Sequence, residues 1–433
     1  MNKNRTNFIA ASLWSCGISL VLVILTYVYW NLPYTFGYGD SLILSMSMFK
    51  DLTTERNFDD SKIVPVNVAY DKMLIPHIDR RDGTVAGNRA ITDREKMLVF
   101  LKMLKERDKY GYIFCDIRFD DYETEYDAEL FATIASMRDI AVATRNLKEV
   151  PEEIREKASV STYTVRLVGD DFLKYSYILP DGERNIALHM WEEITGKKME
   201  KKWWGYTMDG KLCTRSIAPD FCYSIYDDIS TSSLDKISEA NTYSSKIYNL
   251  GSHIVEPYLE GYISGKFFDG KFIMIGDLTE HDRHSTIVGE QPGSVIVLNA
   301  LLALMHKDNV VKFWICLLLF AVLWIESMFL LKNRLHLSEI IGAFTCGARE
   351  RLRNSWISRA RQRIQDSRPI TWIRETRAYK AAKDSKILKI LVIEYISYST
   401  PLVILGILIY AVSGVFINAL VLGSILTFVS IFI

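Results

Sequence analysis

Three kinds of apolar spacing divide the chain. Residues 8–30 form an uncharged run of 23 residues, enough for the roughly 20 that a helix needs to cross a bilayer. A second run covers residues 313–331, and residues 390–433 carry a single charge, Glu394. That last stretch is about twice the spanning length and has Ser413-Gly414 as its turn, so it reads as two spans. The pattern predicts four transmembrane helices with one large polar segment between the first and the second. The first apolar core exceeds the 7–15 residues of a cleaved signal, no small-x-small site follows it, and "YVYWNLPYTFGY" supplies an aromatic belt. A retained anchor is the expectation.

Within residues 33–311 the spacing changes to that of a globular α/β domain. "SLILSMSMFKDLTTE" reads as a short helix and "SKIVPVNVAY" as a buried strand. After the Gly-rich "RRDGTVAGNR", Met97, Phe100, Leu101 and Leu104 recur at helical spacing behind a Thr92-Asp93 cap. "YGYIFCDIRFDD" is a second strand, "DAELFATIASM" a second helix and "IAVATRN" a third strand. Such alternation predicts a mixed, largely parallel sheet with flanking helices. Residues 160–250 suggest antiparallel additions around one helix at "NIALHMWEEITG". "GKFIMIGD" is the last strand, followed by a helix at about 292–305.

Charge sets the orientation. Lys3 and Arg5 precede the first run, and residues 332–389 hold 15 Lys+Arg against five Asp+Glu, which places both in the cytoplasm. Residues 33–311 hold 34 Lys+Arg and 45 Asp+Glu, a charge of −11. The chain thus divides into an anchor (1–32), an extracytoplasmic domain (33–311), a second membrane helix (312–332), a basic cytoplasmic loop (333–389) and two further membrane helices (390–412 and 413–433). An acidic outer domain excludes nucleic acid as its partner, and a basic loop points to anionic lipid.

The chemistry concentrates in "MIGDLTEHDRHST" after the last strand. His281 and His284 with Asp277 or Asp282 offer a metal set, but the spacing lacks the H-E-x-x-H arrangement. A loop past a strand's carboxyl end is also where open α/β sheets bind small ligands. The candidate ligand residues are Gly276, Asp277, Asp282 and His284, joined by Asp116 and Asp120 at the end of the second strand. The plainer reading has Asp277 capping backbone amides and the histidines facing water. No nucleophile or substrate clamp is identifiable, so the chain is not expected to be an enzyme, and no cofactor signature is present. "SGKFFDGK" fails as a phosphate loop because its glycines are misplaced and Phe267 stands where Ser or Thr is needed. "KKMEKKWWGY" reads as an exposed hairpin or as a surface for sugar, lipid or protein. Cys115 reads as a small buried hydrophobe, whereas Cys213 and Cys222 are either a pair across a turn or two free thiols.

At "FDGKFIMIGDLTEHDRHSTIVGEQPGSVIVLNALLALM" the sequence resembles the closing signature of the type-2 CHASE domain, an extracytoplasmic sensory module of bacterial receptors. "IVPVNVAYD", "AITDR", "IFCDIRFDD" and "KIYNLGS" follow in the same order, so the resemblance covers roughly residues 40–310. It implies one helix before the sensor and three after it. The chain departs from the family at Ile287, where a proline is common, and at Val297-Leu298-Asn299, where the family has His-Ala-Asn. Family receptors usually continue into a kinase or cyclase domain. Here the sequence stops at Ile433, so the expectation is a multi-pass inner-membrane sensor without an effector domain, signalling to a separate membrane or cytoplasmic partner. A small-molecule ligand and a homodimer are compatible with that reading.

In the cytoplasmic loop, apolar residues recur among arginines from residue 335 to 364, Pro369 interrupts them, and "ITWIRETRAYKAAK" resumes the pattern. Arg349, Arg353, Trp356, Arg361 and Trp372 are its candidate contacts to the lipid bilayer or a docked partner. Glu326 and Glu394, close to the cytoplasmic side of their spans, read as paired with Lys332 and Lys389 by snorkelling. Two other readings stand beside the receptor: a scaffold subunit of an envelope complex, and an envelope enzyme using the aspartates around Asp116 and Asp277.

Overall fold

The chain begins with α1 (Lys3–Trp30), β1 (Ile63–Asn67) and a hairpin of β2 (Lys72–Ile78) and β3 (Val85–Thr92). It continues through α2 (Arg94–Arg107), β4 (Tyr112–Cys115), α3 (Asp127–Ser136), β5 (Ile140–Thr144) and β6 (Ala158–Val160). Smaller additions follow: β7 (Tyr175–Ser176), α4 (Ile186–Thr195), β8 (Met199–Lys202), β9 (Gly205–Met208), β10 (Lys211–Cys213) and β11 (Ser216–Ile217). The domain closes with β12 (Tyr248–Asn249), α5 (Glu256–Leu259), β13 (Phe272–Gly276), a second hairpin of β14 (Arg283–Thr286) and β15 (Gly289–Pro292), and α6 (Gly293–Met305). The apolar helices α7 (Phe313–Asn333), α8 (Lys386–Ser413) and α9 (Ala419–Phe432) come last. The computed structural model describes residues 3–32, 62–78, 84–119, 124–162, 174–223, 247–279, 282–286, 289–333, 386–413, 417 and 419–432.

Residues 30–311 form the body of one compact unit. Its six strands lie in the order β12-β1-β13-β4-β5-β6, and every pairing is parallel. Alternate residues feed two cores. Phe114, Ala141 and Met274 point to the face covered by α4 and α6. Ile113, Cys115, Val142 and Ile275 point to the face covered by α2 and α3. A sheet buried on both sides explains why these strands are unbroken apolar runs instead of alternating ones. Each fully buried Leu, Ile or Phe contributes about 1.5–3 kcal/mol.

Local signals set the helix ends. Asp93 accepts a hydrogen bond from the Lys96 amide at 3.0 Å, and Asp108 closes α2 in a left-handed conformation. Asn185 caps α4 through the Ile186 amide, and Gly196 ends it at φ 67°. Gly251 allows a close approach: an added Cβ would lie 2.3 Å from Asp71 Oδ1. That same carboxylate binds the Gly251 amide at 2.9 Å and Lys96 Nζ at 2.7 Å.

The strand–helix–strand–helix–strand order and the last strand and helix are found where the sequence places them. The stretch "RRDGTVAGNR", to which the sequence pattern assigns no element, has strand β3 in its second half, paired with β2 over the whole hairpin. Its glycines mask an antiparallel partner that has no apolar face of its own. Cys213 and Cys222 are both buried and are not joined in a disulfide. Cys222 Sγ lies 3.7 Å from Asn299 Oδ1, so it is absorbed by a neighbouring polar contact.

The second unit is built on residues 1–29, 312–410 and 416–433. Within it Trp324 Nε1 donates to the Ser12 carbonyl at 3.3 Å. Gly423 lets α9 approach α8 at Ser399, where an added Cβ would collide with the hydroxyl. Small residues at helix contacts permit such closeness. Glu326 is buried among these helices. Among the described residues one helical stretch, Ile9–Trp30, is long and apolar enough to cross a membrane, with mean hydropathy 2.2. The described apolar stretches Phe313–Met328 and Tyr395–Tyr410 are shorter, so length and composition bear out one of the four expected spans. The early helix "SLILSMSMFKDLTTE", Glu394, and the basic-loop residues Arg349, Arg353, Trp356, Arg361 and Trp372 lie outside the described residues or side chains.

Candidate functional site

All six strands run the same way, so their carboxyl ends share one edge of the sheet. The chain leaves β1 and β4 toward the α2/α3 face, but leaves β13, which lies between them, toward α6 on the other face. Neighbouring connections that part in this manner leave a crevice at the strand ends. A cleft of about 600 Å³ occupies that edge. Its floor comes from Val68, Asp116, Thr144, Ser161 and Asp277, each just past or at a strand end. The β2–β3 hairpin forms a wall with Lys72, Arg89 and Thr92, and β14 contributes His284 beside Asp282.

Asp116, Asp277, Asp282 and His284 are therefore brought together, as the sequence suggests. Burial pushes the Asp116 carboxyl up from the ordinary 3.8 to about 7; the Asp282 charge adds to this, while Arg118 and His284 oppose it. The residue as a whole keeps partial exposure through the open cleft. Asp277 pairs with Lys72 at 3.6 Å and also accepts from the Thr279 amide at 3.1 Å. The capping role and the cleft position coexist. His284 Nε2 and Asp282 Oδ1 lie 3.3 Å apart, with both side chains about 40% exposed. Among the described residues no group of three or more His, Cys, Asp and Glu converges as a metal centre.

Gly276 packs closely against the start of α6. A Cβ there would lie 3.2 Å from Ser294 Oγ and 3.5 Å from the Asp116 Cβ, so the glycine lets β13 meet the start of α6. Asp120, Asp121 and His281 lie outside the described residues.

Sequence reasoning missed the cationic half of the cleft: Lys72, Arg89, Arg94, Arg118 and Arg145. Arg118 and Arg145 sit within the runs "YGYIFCDIRFDD" and "IAVATRN", but β4 ends at Cys115 and β5 at Thr144, so both lie past their strand ends. Arg94 is buried under the floor. Its guanidinium lies 3.6 Å from Asp127, donates to the Arg118 carbonyl at 3.2 Å and sits 4.4 Å over the Phe119 ring. This fixes the loop that carries Arg118. Asn67 was missed as well. Its carbonyl oxygen accepts from the Ala69 and Leu278 amides at 3.1 Å each, tying the end of β1 to the loop after β13.

Far from the cleft, about 20 Å along α6, the body gathers its two chain ends. The Thr214 amide donates to the Asn309 carbonyl at 2.9 Å, and the Val311 amide to the Leu212 carbonyl at 2.8 Å. The next two residues bind the incoming chain: Arg215 Nε donates to the Asn31 carbonyl at 2.7 Å and Ser216 Oγ to the Trp30 carbonyl at 2.8 Å. One five-residue segment thus holds residues 30–31 and 309–311 together. Set against family models, curated proteins and solved structures, the chain has no match.

Proposed function

We propose that this chain is a membrane-anchored receptor of the type-2 CHASE kind, whose α/β body lies outside the cytoplasm of a bacterial inner membrane and senses a ligand or an envelope stress. One observation carries the reading. The cleft and the outgoing chain are the two ends of a single path, β13 to β14–β15 to α6 to Val311. A change in the packing of Asp277, Asp282 or His284 bears on the start of α6, and α6 ends where the chain leaves the body. Ligand-dependent choice between two packed arrangements is the physical form such signalling takes.

The motif order from "IVPVNVAYD" to "VLNALLALM" supports the family. The anchor is supported by Ile9–Trp30, of which only 22% is buried within the molecule, unlike the core helix of a globular protein. In this proposal α7, α8 and α9 join it in the bilayer, and the basic stretch between α7 and α8 meets anionic lipid or a signalling partner. A scaffold role draws support from one feature, Trp203, which is 96% exposed at the β8–β9 turn.

Sidedness tests the proposal. Trp203→Cys should react with a membrane-impermeant maleimide on intact cells. Labelling only after permeabilisation would place the body in the cytoplasm and end the receptor reading.

A further inference from the structure

We propose that the cleft takes a small hydroxylated oxyanion, of the class of sugar acids and sugar phosphates. This rests on the reading of the cleft as a ligand site. Charge is the first ground. Acids outnumber bases 45 to 34 across residues 33–311, yet the cleft reverses the ratio, with Lys72, Arg89, Arg118 and Arg145, above the buried Arg94–Asp127 pair, against the carboxylates of Asp116, Asp277 and Asp282. A cationic pocket on an acidic body attracts and selects anions locally while the surrounding field repels them, so the pocket must supply specific contacts.

The second ground is the placement of two guanidinium groups. In the sheet Cys115 is in register with Val142. Arg118 and Arg145 each lie three residues beyond those partners, both exposed and both lining the cleft. Arg118 follows β4 by three residues and Arg145 follows β5 directly, so two planar forks stand past the carboxyl ends of adjacent strands, which lie about 4.8 Å apart. That arrangement suits bidentate recognition of a carboxylate or phosphate, for which arginine is better shaped than lysine. Arg94 fixes the Arg118 loop from below through its carbonyl.

The third ground concerns the rest of the ligand. Asp116 and Asp282 offer acceptors, Thr92, Ser161 and Thr162 add polar lining, and among the described residues the lining contains no Phe, Tyr or Trp, the His284 imidazole being its one ring. An apolar or stacking ligand would find little to bury, whereas a chain or ring bearing several hydroxyl donors matches these acceptors. A volume of about 600 Å³ falls within the usual range for small-molecule sites, about 300–1,000 Å³.

Thermal denaturation of the full-length chain in detergent tests this with four probes: glucuronate, glucose 6-phosphate, glucose and inorganic phosphate. The two charged sugars should raise the melting temperature by a few degrees at millimolar concentration, and glucose should not. Arg118→Ala and Arg145→Ala should melt within about a degree of the parent without probe, being exposed, and should need about tenfold more charged sugar for the same shift. Arg145→Lys should fall between, retaining charge and losing the fork. Equal stabilisation by glucose, an equal shift with inorganic phosphate alone, indifference of the arginine variants or no shift with either charged sugar would each overturn the ligand class. Labelling of Trp203→Cys on intact cells is independent of all four results, so the ligand class can fall while the receptor reading stands.

Discussion

The cleft and the far half of α6 are held by different kinds of interaction. At the cleft, partly exposed charges face one another: Lys72 with Asp277 at 3.6 Å, His284 with Asp282 at 3.3 Å, and exposed Arg118 and Arg145 nearby. Such pairs are weak in water, sensitive to salt and easily exchanged for a ligand's charges. Toward the other end the bonds are buried and mostly to backbone. Tyr177 donates to the Ala300 carbonyl at 3.0 Å, Asn299 Nδ2 to the Tyr223 carbonyl at 2.7 Å, and residues 212–216 clasp both chain ends. Those contacts cost much to break and hold one geometry. The contrast sets an adaptable cleft against a stiff far half, and three substitutions test it.

The largest effect belongs to the stiff half. Asn299→Ala removes a side chain that donates to the Tyr223 and Val295 carbonyls and accepts from the Tyr223 amide at 3.0 Å, all buried. Leaving these groups unpaired should cost on the order of 3 kcal/mol, read by chemical denaturation of the full-length chain. A loss below about 1 kcal/mol would show that this half is no stiffer than the cleft.

At the cleft the sign reverses. The Asp116 carboxyl, raised from 3.8 to about 7, binds a proton in the folded state that the unfolded chain has released. Stability therefore falls as pH rises through that window, and the penalty is complete above it. Asp116→Asn removes the penalty. It should stabilise the chain above pH 7 by on the order of 1–2 kcal/mol, less than the full shift implies because water enters the cleft. The gain should fade below about pH 4, as melting curves across pH would show. The smallest effect is that of Lys72→Ala, which should cost about 0.5 kcal/mol or less and nothing at high salt.

The framework of the body was legible in the sequence because doubly covered parallel strands leave continuous apolar runs and the intervening helices keep their 3.6-residue period. Asp116, Asp277, Asp282 and His284 were legible too, as polar residues directly after such runs. The β2–β3 hairpin was not. Its strand β3, "VAGNRAIT", carries no apolar alternation, so its pairing depends on a tertiary partner. With it went Lys72 and Arg89. Arg118 and Arg145 escaped because charge just past a strand is common, and only the strand order shows that they follow neighbouring strands. Arg94 looks like an ordinary first-turn helix residue until folding brings Asp127 and Phe119 to it.

Amide hydrogen exchange on the full-length chain, comparing the parent with Asp116→Asn at pH 8, tests most directly whether the cleft speaks to the outgoing chain. Core amides of β4 and β13 serve as the reference for global opening. The account predicts that the Thr214 and Val311 amides, about 20 Å away along α6, change their exchange by at least about threefold while the reference amides, corrected for stability, do not. Altered exchange confined to residues around Asp116, with Thr214 and Val311 unchanged, would contradict it.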